Sequence, residues 1–152
     1  MIRRGPEIAL LREYNVRFKD SPYFVSRKLH LDLGEPREYE ESNETVYKVE
    51  TNLLGPGSTL YLRFLGGNKL ESVDIIMPMD DPNEIKDKFN EITQLIESVY
   101  KNDPRFSKDD IINTDENEYS IHMFYQDSSA TGVSYKIYAT RTGLTLYCSY
   151  IW

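Results

Sequence analysis

Residues 81–101 read DPNEIKDKFNEITQLIESVYK, and this stretch predicts one long helix. Asp81 can accept hydrogen bonds from the free N–H groups of the first turn, and Pro82 suits the first helical position, where its missing N–H costs nothing. Glu84 stands three residues after Asp81, which is the spacing of a capping box. Apolar residues then recur at steps of three and four, the spacing of a single buried helical face: Ile85, Phe89, Ile92, Ile96 and Val99.

Three segments before this helix alternate apolar and polar residues, as half-buried strands do. They are residues 45–53, 59–65 and 70–77. The first two are separated by Gly55-Pro56-Gly57 and the last two by Gly66-Gly67-Asn68, and both connections are rich in turn-forming residues. The pattern predicts a three-stranded antiparallel meander.

Three further segments with the same alternation follow the helix: residues 119–126, 133–140 and 144–152. Residues 127–132 form a polar, flexible connection, and Thr142-Gly143 is short enough for a tight turn. These segments predict a second antiparallel meander.

The remaining segments have weaker patterns. A short helix is predicted from Gly5 to Tyr14, and the alternation of leucines over residues 27–33 predicts a strand. Residues 34–43 are acidic and interrupted by proline, so they are predicted to be a loop. Residues 103–118 are also predicted to be a loop, with one helical turn beginning at Ser107-Lys108-Asp109-Asp110.

The order of these elements predicts an α+β fold with a mainly antiparallel sheet of about six or seven strands. A meander, one long helix (82–101) and a second meander follow one another, and the helix packs across one face of the sheet. Two smaller sheets facing each other are the alternative. The length of 152 residues suits one domain, 1–152, with an amino-terminal segment 1–34 and a βββ-α-βββ core 45–152.

Composition restricts the class of protein further. No apolar run approaches the roughly 20 residues that a membrane-spanning helix needs, and the single cysteine excludes an internal disulfide framework. The sequence as written predicts a cytoplasmic protein. A secreted or lipid-anchored mature domain whose signal had been removed would have the same sequence.

Acidic residues are concentrated in one part of the chain. The net charge is −7, and residues 80–118 hold 12 Asp and Glu against 5 Lys and Arg. Such an acidic band repels phosphate backbones and anionic membranes, so it disfavours nucleic-acid binding and favours a protein partner with a basic surface. Its candidate binding residues are Asp109, Asp110, Asp115 and Glu116.

No residue set with a recognisable chemistry is found. His30 and His122 both fall on predicted strands, but the two-histidine phosphoesterase motif needs a hydroxyl residue two positions after each histidine, where this chain has Asp32 and Phe124. Cys148 belongs to the apolar side of its strand, so a buried, inert thiol is predicted. No catalytic residue, metal ligand or cofactor is therefore predicted.

Three aromatic residues point away from the predicted core face of the second meander, beside His122. They are Phe124, Tyr138 and Tyr147, and with neighbouring strands in register they would form an aromatic strip on the second face of the sheet. The alternative is that the apolar residues of the amino-terminal segment cover that face.

Together these patterns favour a non-enzymatic protein-binding domain, such as an inhibitor, immunity protein, chaperone or anti-defence factor. It would act through the acidic surface or the aromatic strip. The alternative is a small-ligand carrier or sensor with a pocket between sheet and helix, near Tyr47, Tyr61, Phe89 and Tyr135. An enzyme is the third hypothesis, and it requires a concave site that joins a histidine to two or more carboxylates. The oligomeric state is left open.

Overall fold

The computed structural model describes residues 5–52 and 55–152. Over these residues the chain has an α+β fold with one nine-stranded, antiparallel sheet. The sheet is therefore larger than the predicted six or seven strands, and the alternative of two facing sheets is wrong. Leu53, the last residue of the first predicted strand, lies outside the described residues.

Along the described part of the chain, two short helices are followed by four strands, one long helix and five strands. The helices are a 3-10 helix (Ala9–Tyr14), α1 (Pro22–Leu29) and α2 (Pro82–Val99). The strands are β1 (Arg37–Tyr39), β2 (Glu44–Thr51), β3 (Ser58–Leu65), β4 (Lys69–Pro78), β5 (Phe106–Lys108), β6 (Ile112–Asp115), β7 (Glu118–Tyr125), β8 (Gly132–Thr140) and β9 (Gly143–Ile151).

The strand order is β1-β2-β3-β4-β9-β8-β7-β5, and β6 also pairs with β7. The two meanders predicted from the sequence are β2-β3-β4 and β7-β8-β9. They join through β4 and β9, where Val73 lies opposite Cys148 and Ile75 opposite Leu146. The last strand in the chain therefore lies at the middle of the sheet.

The long helix begins where the sequence predicts. The Asp81 carboxylate accepts a hydrogen bond from the backbone N–H of Asn83 at 2.8 Å, and Pro82 is the first helical residue. The helix ends at Val99, two residues before the predicted end. α2 contacts the 3-10 helix, β8 and β9, so it packs on one face of the sheet as expected.

The predicted strand 27–33 is wrong, because its first three residues belong to α1 and the other four form a turn and a loop. Ser21 accepts a hydrogen bond from the N–H of Phe24, and Pro22 is the first helical residue, so α1 has the same start signals as α2. His30 ends the helix in a left-handed conformation and is not on a strand. The leucine alternation was misleading since Leu29 is buried from a helix and Leu33 from a loop.

The predicted helical turn at residues 107–110 is also wrong. β5 and β6 each pair with β7 along its outer edge. Without them, the backbone groups of β7 on that edge would lack partners. β1 pairs with β2 in the same way, inside the predicted loop 34–43. Because these edge strands have three or four residues, they are too short to show a clear alternation.

The amino-terminal segment lies on the same side of the sheet as α2. Ile8, Leu11 and Phe18 are fully buried, and the Phe18 ring stacks on Tyr150 with centroids 5.5 Å apart. Tyr150 lies on the core side of β9, as do Leu144, Leu146 and Cys148. The described part of the amino-terminal segment, residues 5–34, therefore does not cover the other face of the sheet.

A hydrogen-bonded pair of tyrosines lies inside the core. The Tyr135 hydroxyl accepts a hydrogen bond from the backbone N–H of Ala9 at 3.1 Å, and it is 2.5 Å from the Tyr100 hydroxyl. The Tyr100 ring stacks on Phe106 and Tyr125. This cluster joins the 3-10 helix to the end of α2 and to the sheet.

Within residues 5–52 and 55–152, none of the helices combines the length and the apolar character needed to cross a bilayer.

Candidate functional site

The face of the sheet turned away from the helices is named the open face. Side chains alternate along each strand, so the neighbours of the buried Ile137, Leu146 and Ile75 point to this side. Tyr138 and Tyr147 are each 40% exposed there, and Ile76 is 38% exposed. The centre of the open face therefore presents aromatic and apolar groups to solvent.

Tyr138 and Tyr147 form an aromatic pair across β8 and β9. Their ring centroids are 5.6 Å apart and their planes meet at 79°, which is an edge-to-face arrangement. Tyr147 lies between Lys136 on β8 and Asp74 on β4. The pair is held on strands inside the sheet, so its position is fixed by backbone pairing on both sides.

Phe124, the third residue of the predicted aromatic strip, also lies on the open face, opposite Ser134 on β8, but its ring turns away from the tyrosine pair. Its ring lies over the α-carbon of Gly132 on the neighbouring strand and fills the space that a Cβ would need. No ring contact joins Phe124 to Tyr138 or Tyr147 among the described residues. All three residues of the predicted strip therefore lie on the open face, and among the described ring contacts within the strip, one joins Tyr138 to Tyr147.

A shallow depression of about 540 Å³ adjoins this pair on the open face. Its lining residues come from β8 and β9: Ser134, Lys136, Tyr138, Tyr147, Ser149 and Ile151. Tyr138, Lys136 and Tyr147 lie toward one end of the depression, Ser134 and Ser149 in its middle, and Ile151 toward the other end.

His122 links the edge of the sheet to β8. Its Nδ1 atom is 3.2 Å from Oδ2 of Asp109, and its Nε2 atom is 3.0 Å from Oγ of Ser134. The backbone N–H of Asp109 also donates to the carbonyl of His122 at 2.9 Å. The structure therefore joins two of the predicted residues, His122 and Asp109, and adds Ser134, which is only 4% exposed.

Ser134 could not be singled out from the sequence. It is one of several serines on predicted strands, and nothing in its local pattern distinguishes it. Only the register, which places it diagonally from His122, shows the relation. The signal that could have found it is therefore the pairing of β7 with β8.

The other predicted acidic residues lie along the β5 and β6 edge. Asp115 forms an ion pair with Arg141 at 3.3 Å, while Asp110 and Glu116 are exposed. Among the described hydrogen bonds, ion pairs and ring contacts, none joins these three acids to the tyrosine pair.

Part of the acidic band is neutralised by nearby lysines. Lys88 lies 3.5 Å from Glu91 on α2, and Lys108 lies 3.0 Å from Glu97. Both pairs are partly exposed, so they add little stability, but they reduce the negative field of the helix.

The four residues predicted to line a ligand pocket between sheet and helix do not all lie on one side of the sheet. Phe89 and Tyr135 are buried in the core, and Tyr47 packs edge-on against Phe64. Tyr61 alternates with the buried Leu60 and Leu62, so it lies on the open face.

A different cleft, of about 690 Å³, lies between the 3-10 helix and α2. Its apolar lining comes from Ala9, Leu10, Met77, Ile92, Leu95 and Val99. Charged side chains at its rim include Arg12, Glu13, Lys88 and Glu91. Gly55, which follows the residues outside the described part of the chain, also borders it.

The remaining reactive groups are separate from these sites. Cys148 is buried, and burial raises the pKa of its thiol well above the ordinary value, so the thiol stays protonated and inert. The described residues contain no cluster of three or more His, Cys, Asp or Glu side chains suited to a metal ion. Among the described contacts, His122 has one carboxylate partner, Asp109.

Comparisons with known proteins assign no family to this chain. No family model matches it, and neither a curated protein nor a solved structure matches it.

Proposed function

We propose that the protein is a non-enzymatic protein-binding domain of the inhibitor, immunity, chaperone or anti-defence type, and that it binds its partner through the open face. One observation carries the proposal: α2, the 3-10 helix and the buried residues of the described amino-terminal segment pack in the core on one side of the sheet, and exposed Tyr138, Tyr147 and Ile76 occupy the centre of the other. Exposed apolar groups that cluster are typical of interaction surfaces.

The composition of the open face suits a protein interface. Tyrosine offers a large contact area at low conformational entropy together with one hydroxyl, and it is enriched among the residues that dominate binding energy. The two rings already contact each other in the free protein, so little side-chain freedom is left to lose on binding. Polar groups such as Lys136 and Ser149 lie beside the pair, as in an interface with an apolar centre and a polar rim.

The negative charge of the chain favours a partner with a basic surface. The chain carries a net charge of −7, and Asp110 and Glu116 stay exposed along the β5 and β6 edge beside the open face. A partner with basic residues around an apolar patch would complement both features. Such charges act mainly on the association rate and make it dependent on salt.

The test is the double substitution Tyr138→Ala and Tyr147→Ala. Aromatic residues at the centre of an interface contribute about 2 kcal/mol or more, so the dissociation constant is expected to rise by about 30-fold or more. The partner is first isolated by affinity capture from the source cells and identified by mass spectrometry. It is then purified, and its affinity for each variant is measured by titration calorimetry.

Tyr23→Ala is the matched control. Tyr23 is exposed on α1, whose buried residues Val25 and Leu29 belong to the core, so it lies away from the open face. The control is expected to bind like the unmodified protein. Equal affinity of the double variant and the control would reject the open face as the binding surface.

A carrier for a small apolar ligand is the second candidate, and the cleft of about 690 Å³ between the 3-10 helix and α2 favours it. This volume is in the range of small-molecule sites. In this version of the carrier hypothesis, the ligand lies against Leu10, Ile92 and Leu95, away from the tyrosines predicted from the sequence.

The carrier hypothesis is tested with the apolar fluorescent dye ANS and with fatty acids as probes. Leu95→Glu places a charge at the exposed side of the cleft, and it is expected to weaken probe binding about tenfold or more. Ile76→Glu, with a similar exposure on the open face, is the control and should leave probe binding unchanged. If the unmodified folded protein binds none of these probes, the carrier hypothesis fails.

A further inference from the structure

We propose that Ser134 is a nucleophilic serine, activated by His122 and Asp109, that accepts an acyl group from a carboxylic ester. This inference gives the open face a catalytic step in addition to binding, so it replaces the non-enzymatic part of the proposed function; the proposed binding surface does not depend on it. It rests on the order of the three side chains: Ser134 Oγ is 3.0 Å from His122 Nε2, and Asp109 Oδ2 is 3.2 Å from His122 Nδ1.

These contacts select one state of the imidazole. A carboxylate only accepts hydrogen bonds, so Nδ1 carries the proton that is donated to Asp109. In the neutral ring Nε2 is then an acceptor, and the hydroxyl of Ser134 donates to it. This is the tautomer that a histidine needs in order to act as a general base toward a serine.

The strand register holds the three groups in place. His122 lies opposite Lys136 on β8, and Ser134 is the diagonal neighbour two residues away on the same face. Asp109 continues β5 by one residue and bonds through its backbone to His122. The array is thus built across three paired strands, and both partners fix the orientation of the imidazole.

The shallow depression on the open face gives a substrate access to Ser134, and it contains the positive charge of Lys136. Ser134 is only 4% exposed, but it lines that depression together with Lys136 and Tyr147. β8 pairs with β7 and with β9, so the backbone N–H of Ser134 belongs to the sheet. The group that stabilises a developing oxyanion is therefore a side chain, and the ammonium of Lys136 is the cation at this place.

The step is an acyl transfer. Ser134 Oγ attacks the ester carbonyl carbon while its proton passes to His122 Nε2. The bond from the carbonyl carbon to the alcohol oxygen breaks, and the alcohol leaves with the proton from His122. Water then attacks the acyl-serine in the same way, releases the carboxylic acid and restores Ser134. Because Tyr138 and Tyr147 line the depression on one side of Ser134 and Ile151 lines it on the other, the expected substrates are esters with a short acyl group and an aryl leaving group.

The test uses a fluorophosphonate probe, which reacts with activated serines, and p-nitrophenyl acetate as an ester. The purified full chain is expected to be labelled on Ser134, as located by peptide mass spectrometry. Ser134→Ala should abolish labelling, and His122→Gln should lower the labelling rate by about 100-fold or more, the range of general-base catalysis. Asp109→Asn should lower the rate by a smaller factor, since Asp109 is exposed.

Ser149→Ala is the matched control. Ser149 lies opposite Ser134 on β9, on the same face and in the same depression, but no histidine contact is described for it. It should be labelled like the unmodified chain. Ser134→Cys gives a second measurement, since alkylation of the new thiol by iodoacetamide should depend on His122.

Two results would overturn the proposal. One is the absence of labelling in the folded, unmodified protein. The other is equal labelling of Ser134→Ala and the unmodified chain. A purely structural role would give a different pair of results. The unmodified chain would carry no label on Ser134, and Ser134→Ala would lower the thermal stability, because the three side chains would only tie β5 and β7 to β8.

Discussion

Replacing Phe89 by alanine is expected to lower the free energy of unfolding by about 3–5 kcal/mol. Phe89 is 1% exposed at the centre of the buried face of α2, and its ring meets the edge of Tyr119 with centroids 4.8 Å apart. The substitution removes this contact and leaves a cavity between helix and sheet. Since a domain is stabilised by only about 5–15 kcal/mol, the loss is a large fraction of the total.

Urea denaturation followed by circular dichroism measures this loss. Leu95→Ala is the control, because Leu95 is on the same helix and 45% exposed, and its effect should stay within about 1 kcal/mol. Equal effects of the two substitutions would contradict the packing of α2 on the sheet through Phe89.

Raising the pH from 10 to 12 is expected to destabilise the protein through its buried tyrosines. Burial raises the pKa of Tyr100 to about 12, and burial also raises the pKa of Tyr135 well above the ordinary value of 10.0. In the unfolded chain both tyrosines ionise near their ordinary pKa, whereas in the folded chain they keep their protons. Their contribution is therefore complete below pH 10 and is lost as the pH rises through the folded pKa.

Each such tyrosine lowers the free energy of unfolding by about 1.4 kcal/mol per pH unit inside this window. Urea denaturation at a series of pH values from 8 to 12 measures the slope. Tyr100→Phe should reduce the slope, and Tyr23→Phe, at an exposed position on α1, is the control for the loss of a hydroxyl outside the core. A flat stability profile up to pH 12 would contradict the buried tyrosine pair.

The sequence predicts those elements whose signals are local. The start of α2 is specified by Asp81 and Pro82 and its buried face by the spacing of Ile85, Phe89 and Ile92, so the helix forms where expected. The six longer strands alternate clearly, and each is present with ends within two residues of the prediction where the structure describes them. α1 has the same signals in Ser21-Pro22, but the leucine alternation after it competed with them.

Elements that depend on a neighbour could not be predicted in this way. β1, β5 and β6 form because β2 and β7 offer unpaired backbone groups, and this cause lies in other parts of the chain. The candidate sites have the same origin. Tyr138 and Tyr147 were placed on the correct face by alternation, whereas the contact of Ser134 with His122 depends on the register between two strands.

The nine-stranded sheet is complete only when its two halves pair at the middle, through β4 and β9. β9 is the last strand in the sequence, yet it pairs with β4 on one side and with β8 on the other. Each meander can form early through local hairpins, but their union closes a long loop and is expected to be the slow step of folding. Until the two meanders join, β4 and β9 are both unpaired edges, so a nascent or partly unfolded chain presents two strand edges at which it can aggregate.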